Sequence, residues 1–312
     1  VLCPLVKTPH MNHPNSIYRG RFAPSPTGPL HFGSLVAALA SFLDARKHKG
    51  EWLVRIEDID PLREVSGASS DILGTLEAHH LFWDESVRYQ SNRSSAYEAL
   101  IDQLKVNGFT YYCPCSRKTL IANNGSHGPE CNPDRPSSSQ PFAIRLHAQD
   151  HHYTWNDLLL GPQSFFAKKQ NDDFVIKRKE GFYAYQLAVV CDDIDQNITH
   201  IVRGSDLLDS TPPQLALYRA LTISPPQFGH IPVISNSDGQ KLSKQNMAPP
   251  INNAIASQNL RQALAALNHP LPATLNDAPI DDIINWAIKN WSLDQVPKRQ
   301  SIQDGWHTHP EL

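Results

Sequence analysis

The chain has 312 residues, 40% of them hydrophobic, enough for one large domain or two modest ones. Its formal charge of -3 gives no global basic field, so an RNA partner must be held by local patches such as Arg21, Lys177, Arg178, Lys179 and Arg203. No apolar run is long enough to span a membrane and no signal-peptide pattern opens the chain; five cysteines, an odd number, fit a reducing compartment, the cytoplasm by default.

Residues 1–16 read as an N-terminal extension, with Met11 a candidate genuine start. Ser16–Ala23 reads as a buried strand, followed by a turn at Gly28-Pro29 and an alanine-rich helix over Gly33–His48. Glu51–Ile56 alternates as a second strand and ends in the acidic cluster Glu57-Asp58-Ile59-Asp60. That strand–helix–strand order opens a nucleotide-binding α/β unit, whose ligand belongs at the carboxyl ends of the strands. Helical patterns follow at Ser69–His80 and Ser94–Asn107, then a loop rich in Gly, Ser, Asn and Pro over Asn123–Gln140. Phe142–Arg203 reads as short strands, including Phe174–Lys179 and Tyr183–Val190, with a hairpin-like turn at Glu180-Gly181. Thr211 is placed to cap a helix whose first turn holds Pro212 and Pro213. His230–Ile234 reads as a strand leading to Lys241-Leu242-Ser243-Lys244, and two amphipathic helical stretches follow, around Leu260–Leu267 and Ile280–Trp291. There is no internal repeat.

Two fragments carry phosphate chemistry. The proline-stiffened run from Arg21 to Leu35 delivers His31 and Gly33 into a helix start, where free N–H groups and the positive dipole end suit a triphosphate. Lys241 and Lys244, far along the chain, supply mobile ammonium groups for the leaving pyrophosphate. Each has a plainer reading: a Pro/Gly turn before an ordinary helix with His31 at the surface, and solvated loop charges. A third cluster, Cys113-Pro114-Cys115 followed by His127 and Cys131, offers three thiolates and an imidazole, a soft tetrahedral set for structural Zn²⁺; the alternative is reduced surface thiols.

His31-Phe32-Gly33-Ser34 and Lys241–Lys244 resemble the two signature motifs of class I aminoacyl-tRNA synthetases, with Ser34 where a second histidine usually stands. The Arg21–Leu35 run, Arg55-Ile56-Glu57-Asp58-Ile59-Asp60 and Val202-Arg203-Gly204-Ser205-Asp206 narrow the resemblance to the glutamyl branch, over Tyr18 to Met247. Only about sixty-five residues follow the lysine loop, too few for a full anticodon-binding domain, so the chain most resembles the truncated glutamyl-queuosine tRNA(Asp) synthetase family.

The resemblance implies a Rossmann-like catalytic domain in two halves, 17–110 and 201–250. It places a zinc-binding, acceptor-like insertion over 111–200 and a short helical region over 251–312. It implies an ATP site from His31, Gly33, Ser34, Lys241, Ser243 and Lys244, with His31 and Lys244 catalytic and Mg²⁺ accompanying the ATP. Arg21, Phe22, Ala23, Pro24, Ser25, Glu57, Tyr185 and Arg203 map onto the glutamate site. Arg21 and Arg203 are the candidate cations and Glu57 the candidate anion, unless Glu57 merely pairs with Arg55 or Arg63. Tyr183 and Tyr185 would share a strand face; the spacing to Arg203 favours Tyr185. Implied partners are ATP, L-glutamate and tRNA(Asp) carrying queuosine, with no membrane and a monomeric enzyme. Lys177–Lys179 and Lys168-Lys169 are the candidate RNA contacts. The competing readings are a minimal glutamyl-tRNA synthetase charging the tRNA 3′ end, and a catalytically silent nucleotide- or RNA-binding paralogue.

Overall fold

A computed structural model describes residues 17–123, 127, 131, 134, 141–168, 173–235 and 249–303. Strand β1 (Arg19–Phe22) crosses over through helix α1 (Phe32–Lys47) to the parallel strand β2 (Glu51–Ile56), with Arg21 opposite Leu53. Alanines and leucines make α1 a strong helix former, and it is buried on nearly every face, as a central helix must be. Gly50 closes this crossover: a Cβ there would stand 2.3 Å from the Tyr18 carbonyl oxygen, so only glycine lets the chain re-enter the sheet.

Helix α2 (Ala68–Ala78) leads to the short strand β3 (Arg88–Tyr89), parallel to β2, and to α3 (Ser94–Val106). Then come β4 (Thr110–Cys113), α4 (Arg117–Ala122), β5 (Ala143–Leu146), a hairpin of β6 (His151–Asp157) and β7 (Gly161–Ala167), and β8 (Phe174–Lys177). Strands β4, β5 and β8 form an antiparallel sheet in that order.

The chain returns through α5 (Tyr185–Asp195) to β9 (His200–Gly204), α6 (Thr211–Ala220) and β10 (Gln227–Ile231), and β9 and β10 pair in parallel. The Thr199 N–H donates to the Arg19 carbonyl at 3.0 Å, which brings the start of β9 beside β1. Strand β11 (Val233–Ser235), helices α7 (Ala256–Ala266) and α8 (Ile280–Asn290), and β12 (Ser301–Gln303), parallel to β11, complete the fold. Helices α7 and α8 cover α1, and Trp52 and Trp291 are buried in that core. A second core joins α3, α5 and α6 through Tyr97, Leu187 and Leu217.

Three expectations are corrected. Tyr183–Val190 is not a strand: α5 begins at Tyr185, and Leu187 to Asp193 is buried without a break, a pattern that does not distinguish a strand from an enclosed helix. The strand expected over His230–Ile234 is split at Pro232, which has no N–H for a ladder bond, into β10 and β11. Thr211 is the first residue of α6, and the cap position falls on Ser210. No described helix is long and apolar enough to cross a membrane.

Candidate active site

The carboxyl ends of β1, β9 and β10 and the first turn of α1 converge on a cavity of about 440 Å³. Its walls include Arg21 and Phe22, the extended run Ala23-Pro24-Ser25, His31, Gly33 and Ser34, Tyr185 and Arg203. A smaller cavity of about 40 Å³ adjoins it, with Ser25, Thr27 and Tyr185 in both walls and Glu57 in the second. The Glu57 N–H donates to the Pro24 carbonyl at 2.9 Å, tying the end of β2 to the run that follows β1.

His31 is the N-cap residue of α1: the Ser34 N–H donates to its Nδ1 at 3.3 Å, and the Ser34 hydroxyl lies 3.0 Å from its Nε2. Gly28, at φ +131°, turns the chain just before it. Lys241, Ser243 and Lys244 lie outside the described residues. The described flanks of that segment are at the site: Ile234 lines the cavity, and Pro250 forms a β-bridge with His31.

Arg21 is buried and points its guanidinium at Asp193, with Nε donating to Oδ1 at 3.2 Å and Nη2 to Oδ2 at 3.5 Å. Arg55, fully buried, donates to the same Oδ1 at 2.7 Å and to Gln196 Oε1 at 2.7 Å. Burial alone would raise the Asp193 carboxyl; Arg21 and Arg55 overcome it and hold the group below its usual range. Glu57 is placed otherwise. Its Oε1 is buried with no hydrogen-bond partner, and Arg55 Nε stands 3.9 Å away, beyond hydrogen-bonding distance. Burial, with Asp193 and Asp192 adding to it against Arg55 and Arg21, pushes the Glu57 carboxyl up to about 7.

The other acids of the cluster are occupied: Asp58 accepts from the Ser91 N–H and hydroxyl, and Asp60 from Arg63 and Arg178. Of the two tyrosines, Tyr183 donates to Glu98 at 2.7 Å, whereas Tyr185 lies in the walls of both cavities. Burial, then the Glu57 charge, raises the Tyr185 phenol above its ordinary range. Arg203, 4% exposed, is held by Gln214, Thr211, the Leu207 carbonyl and His230.

The metal-ligating set comes together on and beyond β4. One ligand atom from each of Cys113, Cys115, His127 and Cys131 lies within 4.8 Å of the other three. Tetrahedral ligation with Zn–S of about 2.3 Å puts neighbouring sulfurs about 3.8 Å apart, so the donor set and its spacing fit zinc. The basic run Lys177-Arg178-Lys179 is committed elsewhere: Lys177 pairs with Glu98, Arg178 with Asp60, and Lys179 donates to the Pro114 carbonyl at 2.5 Å. Of the other pair, Lys169 lies outside the described residues. Sequence reasoning missed Asp193; its signal was the acidic pair Asp192-Asp193 ending the apolar run Leu187–Cys191.

A parallel nucleotide-binding unit with this motif set defines the catalytic domain of a class I aminoacyl-tRNA synthetase, and the family described as tRNA synthetases class I (E and Q), catalytic domain, matches residues 18–267. A glutamyl-Q tRNA(Asp) synthetase of Chromobacterium violaceum is 48% identical over 289 residues, covering 91% of this chain and 96% of that one. That of Photobacterium profundum is 46% identical over 285 residues, covering 91% and 92%. The chain belongs to the glutamyl-Q tRNA(Asp) synthetase family. Among solved structures, a glutamate tRNA ligase from Elizabethkingia meningosepticum, in complex with its amino acid, superposes with a TM-score of 0.75 at 25% identity, over 92% of this chain and 67% of that one.

Proposed function

We propose that the chain activates L-glutamate with ATP in the absence of tRNA and transfers the glutamyl group to the queuosine base in the anticodon loop of tRNA(Asp). The observation that carries this reading is the charge pattern of the site. Two buried guanidinium groups, Arg21 and Arg203, accompany a buried carboxyl, Glu57, one of whose oxygens has no hydrogen-bond partner, Arg55 standing 3.9 Å from it. A dicarboxylic amino acid brings two carboxylates and one ammonium, the complementary set.

On this reading Glu57 accepts the substrate ammonium, Arg21 and Arg203 bind its carboxylates, and Tyr185 offers a hydroxyl. Phe22, Ala23, Pro24 and Ser25 shape the wall. The substrate α-carboxylate attacks the α-phosphorus of ATP carrying Mg²⁺; an O–P bond forms as the bond to the departing pyrophosphate breaks. No protein nucleophile is needed, because orientation alone lowers such a barrier by about 7–11 kcal/mol. His31, the Gly33 N–H, the Ser34 hydroxyl, and Lys241, Ser243 and Lys244 meet the phosphates. In the second step a hydroxyl of the base's cyclopentene ring attacks the mixed anhydride and AMP leaves.

Cys113, Cys115, His127 and Cys131 would hold a structural Zn²⁺, the three thiolates and the imidazole supplying a soft four-ligand set. Reduced thiols and tRNA coexist in the cytoplasm, where this reading places the reaction. The names of the relatives, glutamyl-Q tRNA(Asp) synthetases, favour the modified base as acceptor over the tRNA 3′ end. The test is pyrophosphate exchange without tRNA, run in parallel with glutamate, glutamine and aspartate, followed by transfer to queuosine-containing tRNA(Asp) with an intact or periodate-oxidised terminus. Glutamate-specific exchange and oxidation-resistant transfer are expected. Exchange that requires tRNA, or transfer abolished by periodate, overturns the reading.

A further inference from the structure

A buried Asp–His pair stands behind Arg203. Asp157 is the last residue of β6, 1% exposed, and His230 lies on β10, 73 residues away in sequence and fully buried. His230 Nδ1 is 2.5 Å from Asp157 Oδ2, and Arg203 Nε donates to His230 Nε2 at 3.0 Å. The Arg203 Nε always carries its hydrogen, so His230 Nε2 must be the acceptor. That fixes a neutral imidazole with its proton on Nδ1, directed at Asp157. The Thr211 hydroxyl, 3.4 Å from the same Nε2, also takes a bond from Arg203 Nη2 at 2.9 Å.

Asp157 is itself pinned. Its Oδ1 accepts from the backbone N–H groups of Leu159 and Leu160, each at 3.0 Å, and of His230 at 3.1 Å, which leaves Oδ2 alone to face the imidazole. The turn of the β6–β7 hairpin is held on β10 as well, by the Leu158 N–H donating to the Phe228 carbonyl at 2.8 Å. Every atom in the chain from hairpin to guanidinium therefore has one role, donor or acceptor.

We propose that Asp157 and His230 are positioning residues for amino-acid binding: the hairpin carboxylate fixes the tautomer of His230, and His230 holds the Arg203 guanidinium at the angle that receives a substrate carboxylate. The proposal rests on the assignment of Arg203 to the glutamate site. Burial lowers the affinity of His230 for a second proton, with the Arg203 charge acting in the same direction and the Asp157 hydrogen bond opposing it. A neutral acceptor is what the geometry needs. The Asp157 carboxyl, despite its burial, is held below its usual range by the bonds from His230 and the turn.

The test compares glutamate KM, ATP KM and kcat of pyrophosphate exchange in four variants. His230→Phe keeps the volume and removes the acceptor, and should raise glutamate KM about tenfold with ATP KM and kcat little changed. His230→Gln carries an oxygen where Nε2 stood, and should restore glutamate KM to within about threefold of the parent. Asp157→Asn tests the tautomer without loss of volume. The three backbone donors keep the amide oxygen at the Oδ1 position, so the amide NH₂ faces Nδ1 and drives the proton to Nε2, against the Arg203 N–H. Glutamate KM alone should again rise about tenfold.

Arg203→Lys separates the two readings. If it leaves glutamate KM unchanged, the assignment of Arg203 fails and the positioning proposal falls with it. If it raises glutamate KM while Asp157→Asn and His230→Phe do not, only the positioning proposal is overturned. A parallel rise in ATP KM, or His230→Gln behaving like His230→Phe, also overturns it, because a merely structural role predicts those outcomes. Should His230→Phe fail to fold, Asp157→Asn, isosteric with the parent, decides.

Discussion

Glu57 sits unfavourably in the free protein: buried, ionisable, and with one oxygen lacking a hydrogen-bond partner. Glu57→Gln should therefore abolish detectable glutamate-dependent exchange yet raise Tm by about 2 °C, the signature of a group retained for binding at some cost to stability. The sign of its pH effect follows from a folded-state pKa of about 7 against an ordinary value of 4.5. The folded chain holds this proton more tightly than the unfolded one, so its contribution to stability is full below pH 4.5 and is lost as pH rises to about 7. Capture of an ammonium needs the ionised form, so kcat/KM for glutamate should climb with pH to a plateau above about 7, and a profile flat from pH 5.5 to 8 would count against the assignment. At this scale the sequence was legible where a residue type names its own chemistry. Arg21, Glu57 and Arg203 were named because the resemblance to the glutamyl branch maps them onto an amino-acid site, where their charges suit a dicarboxylic substrate. Asp193, Asp157 and His230 did not, because their significance lies in contacts such as Arg21 to Asp193 across 172 residues, which no local pattern records.

Among the elements, α1 was readable because its alanines and leucines are strong helix formers, and β2 because the short apolar run Trp52-Leu53-Val54 follows a Gly turn, although its burial does not alternate as the sequence reading expected. Helix α5 was not. Tyr185, Val189 and Val190 favour a strand, and burial on all sides erases the amphipathic stripe that would have marked a helix. What decides is packing against α3 and α6, information that resides in other parts of the chain. The consequence for the site is favourable: a helix start presents Tyr185 beside the ends of β1 and β9. The N-terminus of α1 is the element-scale test of the ATP reading. His31→Ala removes a side-chain cap, costing at most about 1 kcal/mol of stability. Loss of a phosphate donor should lower exchange by about a hundredfold. A variant with near-normal exchange and only a small drop in Tm would reduce His31 to a cap.

For the whole molecule, the fold ties the site to parts distant in sequence. The β4–β5–β8 sheet carries the cysteine–histidine cluster near one edge, while α7 and α8 close over α1 from the opposite end of the chain. The purified protein should contain one zinc per chain by elemental analysis. Stripping it with a strong chelator should lower Tm by several degrees while leaving the preference for glutamate over aspartate intact, as expected of a closed structural site. Loss of that preference on chelation would move the metal into the chemistry. The overall order of strands and helices was visible in the sequence because each unit is local. That 17–110 and 201–250 form one domain was expected from the family resemblance alone, since no local pattern records the contact of β9 with β1.

Arg21 and Arg203 are each 4% exposed, so mobile ions in solution have almost no access to them. Dissolved electrolyte should therefore discriminate between the two substrates. Adding potassium chloride from 50 to 300 mM should leave the glutamate KM of exchange nearly flat, because buried charges are screened much less than exposed ones. Transfer to tRNA, a polyanion that sheds counterions when it docks, should weaken steeply over the same range. Amino-acid activation would then persist at ionic strengths that silence the second half-reaction.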